Sequence, residues 1–219
     1  MGRFLQLSGL AIGIIGLLLQ TAITIPASME AGRGFFGSVV YLLTFFTILT
    51  NIAAVLVHLS LLSPRGYAWL PFFAGARVRA GVAISIALVF IIYTTVLHGL
   101  VQLEGLFLLC DILLHYVTPV LFVLWWLVAG ANGSTRWKDI PVWMTYPLAY
   151  LAVALARAPF AGEVPYPFLD FGTLGWGAVF LNSLMMTALF LVLSVVAVLA
   201  DRLVSRSRKQ QGRPDRTRR

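Results

Sequence analysis

Thr44, Thr47 and Asn51 interrupt the apolar run LTFFTILTN (43–51) at spacings of three and four residues, the periodicity of one helix face. A second polar set lies in DILLHYVTP (111–119), where Asp111 and His115 are four residues apart. A threonine hydroxyl is a weak nucleophile until a base removes its proton. Histidine titrates in the right range to do so, and a carboxylate can orient its ring and stabilise the imidazolium. Thr47, His115 and Asp111 supply these three types if the helices that carry them face each other. The competing readings are structural: threonines bond back to their own helix, and histidines within a membrane bond between helices.

Further polar residues cluster near the same level. His98 and Glu104 precede Asp111, and Asp170 lies in a later loop. Asn51, Asn182 and Ser183 are candidates for stabilising a developing oxyanion. Tyr166 and Asp170 read either as an outer lid or as a rigid proline-aromatic cap. His58 sits seven residues after Asn51, away from this set, and reads as a packing or interfacial residue. His98 and His115 supply at most one haem-ligand pair, and no CxxCH is present. No metal-ligand spacing, phosphate-binding loop, GxSxG elbow or dinucleotide fingerprint occurs, so no metal and no cofactor is expected. The single cysteine, Cys110, excludes an internal disulfide and reads as a small apolar filler.

The elements that must position these residues are membrane helices. Of 219 residues, 60% are hydrophobic and 11% charged, with a mean hydropathy of +0.91. Soluble domains carry about 25% charged residues. Apolar runs long enough to cross a bilayer, roughly 20 residues each, fall at about 4–25, 36–62, 77–101, 108–130, 140–158 and 174–200. The stretch YAWLPFFAGAR (67–77), split by Pro71, reads as interfacial. The predicted fold is all-α: a polytopic bundle of six transmembrane helices over residues 1–200, followed by a basic tail at 201–219.

Charge orients the bundle. The net charge is +8, but eight of the sixteen basic residues lie at 202–219. With both termini in the cytoplasm, fourteen of the sixteen fall on the cytoplasmic side, and only Arg33 and Arg157 fall outside. The tail is expected to be disordered and to lie near anionic lipid headgroups, which replaces nucleic acid as the explanation of its charge.

Three stretches in order, YLLTFFTILTN (41–51), DILLHYVTPVLFVLWWL (111–127) and VPYPFLDFGTLGW (164–176), resemble the androgen-induced-gene family of integral membrane proteins. That family includes the androgen-dependent TFPI-regulating protein, and the likeness is to its bacterial members over residues 36–195. The resemblance implies a multipass threonine hydrolase of a bacterial inner membrane, cleaving fatty acid esters of hydroxy fatty acids. It maps the histidine to His115, through Tyr116, Thr118 and Pro119. Phe46-Thr47 with Asn51 is similar to the bacterial pattern, and Leu43-Thr44-Phe45 to the animal one. Thr47 is the first choice for the nucleophile and Thr44 the alternative. The implied partner is a lipid substrate in the bilayer. The other reading is a non-enzymatic or proton-coupled carrier of lipids or small amphiphiles, with Asp111 and His115 handling protons.

Overall fold

A computed structural model describes residues 1–62 and 70–211. The expected loop at 63–66, residues 67–69 of the interfacial segment, and 212–219 of the tail lie outside the described residues. The described residues are mostly helical, and no strand occurs among them. Its helices are α1 (Gly2–Glu30), α2 (Phe35–Leu43), α3 (Phe46–Leu62), α4 (Leu70–Ala74), α5 (Ala76–Ile92), α6 (Gly105–Ile112), α7 (Thr118–Trp125), α8 (Ile140–Ala161) and α9 (Phe171–Gln211). Three π-turns extend them: Tyr93–Leu97 after α5, Leu113–Val117 between α6 and α7, and Trp126–Gly130 after α7.

Five helical stretches are long and apolar enough to cross a membrane, and α2 with α3 makes a sixth if that bent pair counts as one span. Their outer faces are uncovered. Only 17% of the most apolar window of α1 and 22% of that of α9 are buried, so these faces suit hydrocarbon rather than water.

Lipid tails are as apolar as leucine, so close packing rather than water exclusion must join such helices. The α1 sequence provides for it. Gly9, Gly13 and Gly16 are all buried on one face. A Cβ there would stand 2.8 Å from His58 Nε2, 2.9 Å from Val55 Cγ2 and 2.9 Å from Leu114 Cδ2, respectively. These contacts put α1 antiparallel both to α3 and to the Gly105–Gly130 span. His58 is 1% exposed, with Phe122 and Trp125 rings at 5.0 and 4.7 Å, so it is a packing residue.

Three departures from the sequence reading matter. The second span is broken: α2 and α3 meet at a bend of 79°. At the break Thr44 Oγ donates to Tyr41 O at 2.6 Å, and the Tyr150 hydroxyl donates to Thr44 O at 2.7 Å. The Tyr150 bond satisfies the Thr44 carbonyl, and Tyr41 O accepts from both the Thr44 N–H and its hydroxyl. The second departure is local. Pro119 lacks the N–H that an α-helix would send to the carbonyl of His115, and a π-turn stands at this position. The third is that α9 runs to Gln211, so the start of the tail is helical rather than disordered. Arg208 explains why a charged stretch stays folded. Its guanidinium donates to the carbonyls of Ala131 (2.7 Å), Leu127 (2.9 Å) and Val128, at the open end of the last π-turn.

Candidate active site

Thr47 lies in the first turn of α3, immediately after the break. The first N–H groups of a helix have no acceptor within it, and the Thr47 N–H donates instead to the Tyr166 hydroxyl at 3.3 Å. Thr47 Oγ is 3.5 Å from the same phenolic oxygen. Tyr166 reaches this point from the loop before α9, where its ring stacks on Phe168 at 5.2 Å and meets Phe45 edge-on. The helix break therefore gives the Thr47 hydroxyl two neighbours useful to an oxyanion: a helix N-terminus and a phenol.

Asn51, one turn further along, is fully buried. Its Nδ2 donates to Thr47 O at 2.8 Å and to Leu114 O at 3.2 Å. The second bond crosses to the residue beside His115. Asn51 thus ties the two halves of the site together, with both amide protons committed to backbone.

His115 sits within the Leu113–Val117 π-turn. Its Nδ1 is 2.9 Å from Asp111 Oδ1 and 3.2 Å from Asp111 O. Tyr93, in the turn after α5, donates its hydroxyl to Asp111 Oδ2 and stacks its ring on the imidazole at 4.0 Å and 18°. With Nδ1–H held by the carboxylate, Nε2 is the nitrogen left to accept a proton.

The two halves meet at cavities. A small, almost wholly apolar cavity of about 90 Å³ lies among α5, α8 and α9. A larger one of about 540 Å³ extends toward α1, α2 and α6, within the usual range for small-molecule sites. Thr47, Tyr93, Leu97, His115 and Tyr166 line both. No hydrogen bond joins Thr47 Oγ to His115 among the described residues. Catalytic contacts often tighten only once substrate is bound.

The remaining sequence candidates divide. Ser183 lines the small cavity, and its hydroxyl is buried without a partner. His98 is off both cavities, bonded through Nδ1 to Tyr116 at 3.0 Å. Asn182 Nδ2 donates to Phe168 O at 3.0 Å, bracing the Tyr166 loop. Asp170 Oδ1 accepts from Gly172 N at 2.9 Å and Thr173 N at 3.3 Å, capping the start of α9. Asp170 lines neither cavity, and neither does Thr44. No group of three or more His, Cys, Asp or Glu side chains placed to hold a metal occurs among the described residues.

Sequence reasoning missed Tyr93. Its signal was available only as spacing across two spans, because a tyrosine in an apolar run looks like an interfacial anchor. No family profile, curated protein or solved structure matches the chain.

Proposed function

We propose that the protein is an integral membrane hydrolase of lipid esters, with Thr47 as nucleophile and His115 as its base. The carrying observation is that both side chains line the same two cavities while Asp111 and Tyr93 hold the imidazole from behind. The family resemblance points the same way, toward fatty acid esters of hydroxy fatty acids.

The reaction balances with these groups and one water. His115 Nε2 takes the Thr47 proton as Oγ attacks the ester carbonyl carbon. The oxyanion forms beside the Thr47 N–H and the Tyr166 hydroxyl. The C–O bond breaks, and the leaving alcohol takes the proton from His115. Water, deprotonated by the same imidazole, then attacks the acyl-threonine; the acyl–Oγ bond breaks, His115 returns the proton to Thr47 Oγ, and the acid leaves. An ester at the junction would place one chain in the small apolar cavity and the other arm in the larger one. Both termini lie in the cytoplasm of a bacterial inner membrane on this reading, with the site in the outer half of the bilayer.

The test is covalent labelling by a fluorophosphonate probe together with release of fatty acid from an ester-linked hydroxy fatty acid. Labelling that disappears in Thr47→Ala supports the reading. A folded wild-type protein that neither labels nor cleaves would leave the carrier reading in its place.

A further inference from the structure

The larger cavity ends in polar groups that the hydrolytic mechanism does not use. Gln20, Thr24 and Ser28 line it from one face of α1, at successive spacings of four. Gln20 Nε2 donates to Thr24 Oγ1 at 2.7 Å. The Ser28 hydroxyl, in a residue only 4% exposed, is buried and has no partner. Arg33 closes this end of the cavity, its guanidinium 4.3 Å over the Tyr41 ring.

Arg33 and Arg157 are the two basic residues that the charge distribution left outside the cytoplasmic set. They share one carboxylate. Arg33 Nη2 donates to Glu163 Oε2, and Arg157 Nη2 donates to Glu163 Oε1 at 3.3 Å. Two guanidiniums on one carboxylate leave one positive charge in surplus. Arg33 Nε and Nη1 make no hydrogen bond to any described residue, so the guanidinium that faces the cavity keeps free donors. Among the described residues that line this cavity, Asp111 is the only carboxylate, and it is engaged by His115 and Tyr93.

We propose that this end of the cavity binds the free carboxylate of a long-chain acid, through Arg33 and the Ser28 hydroxyl. A single surplus charge suits a monoanion, and a guanidinium fork suits a carboxylate. The inference rests on the hydrolase reading for the fate of the ester, but not for the binding itself. In that reading the site takes an ester whose other end is a free acid, with the reacting carbonyl at the junction and the carboxylate near Arg33.

The experiment measures binding of oleic acid and of methyl oleate to the full-length protein in detergent, by calorimetry, alongside hydrolysis. Wild type should bind the acid more tightly than the methyl ester. Arg33→Gln should weaken oleic acid by about tenfold or more, because a charge-assisted bond is lost, and should leave methyl oleate unchanged. Ser28→Ala should weaken the acid alone. Glu163→Gln should strengthen oleic acid binding, because it removes the neutralising charge. This opposite sign separates recognition from a structural role. Equal loss of acid and ester in Arg33→Gln, or weaker acid binding in Glu163→Gln, overturns the proposal. So does a lysophosphatidic acid that outcompetes oleic acid in an Arg33-dependent way, because it would assign the site to phosphate. Acid binding that depends on Arg33 in a protein without hydrolysis would sink the enzymatic reading alone. Hydrolysis that is blind to the acid group would sink this inference alone.

Discussion

Asp111 and Asp201 are both buried carboxylates, 8% and 1% exposed, in the same bundle. Their partners differ in kind. Asp201 accepts from Asn132 N, Gly133 N, Thr135 N and Thr135 Oγ1, at 2.7 to 3.0 Å. Three of these four donors are backbone, and none lines either of the two cavities at Thr47 and His115. Asp111 faces the larger cavity and its partners there are a histidine and a tyrosine. A carboxylate saturated by amide protons fixes a loop. One that holds an imidazole against a cavity leaves that ring's other nitrogen free for proton transfer. Burial alone does not separate structure from chemistry; the identity of the donors does.

The largest expected effect tests the chemical end. Thr47→Ala and His115→Ala should each lower ester cleavage by about a thousandfold. The double variant should be no worse, since the two act as one unit. Fatty acid release from purified, folded protein is the measurement. Additive losses would break the pairing.

Asp201→Ala tests the other end. It strands four donors and should cost about 3 kcal/mol of stability, seen as a lower unfolding temperature in detergent. Activity per folded molecule should stay within about twofold. A specific loss of turnover would show that the two carboxylates are not the contrast described.

Asp111→Asn keeps the volume and an acceptor for the imidazole but removes the charge. We expect kcat to fall by about ten- to a hundredfold with little loss of stability, the reverse of Asp201→Ala. Tyr93→Phe should give a smaller fall in the same direction. The smallest effect belongs to the end of α9. Deleting residues 206–219 removes the three carbonyl bonds of Arg208 and should cost about 1 kcal/mol, with specific activity retained. Thr44→Ala should likewise keep most activity, because that hydroxyl bonds back to Tyr41 O and faces neither cavity.

Hydropathy made the long apolar helices legible, and spacing made Asp111 and His115 legible as neighbours, since both depend on local sequence. The break at Thr44 was not legible. Apolar residues flank it on both sides, and the bonds that hold it come from Tyr41 and from Tyr150, more than a hundred positions away. Thr44, Thr47 and Asn51 would share one face only on an unbroken helix. The bend removes Thr44 from that face and leaves Thr47 with Asn51. The helical reach of α9 was hidden for the opposite reason: its charged composition suggested a free tail, while Arg208 finds acceptors on a different span. Gln20, Thr24 and Ser28 were visible as a spacing, but nothing local distinguishes a cavity face from a helix-packing face.

The π-turn at Leu113–Val117 makes this span tolerant of a change in length at one place. A π-turn is an α-helix carrying a surplus residue. Deleting one residue between His115 and Pro119 would let the segment relax to α geometry. The wider turn is what absorbs the surplus residue, so the helix on either side would keep its facing. Asp111 would keep its side of the bundle, and Phe122 and Trp125 would stay against His58. A related chain one residue shorter here should therefore keep both its α6 face and its α7 face, with no compensating change on either.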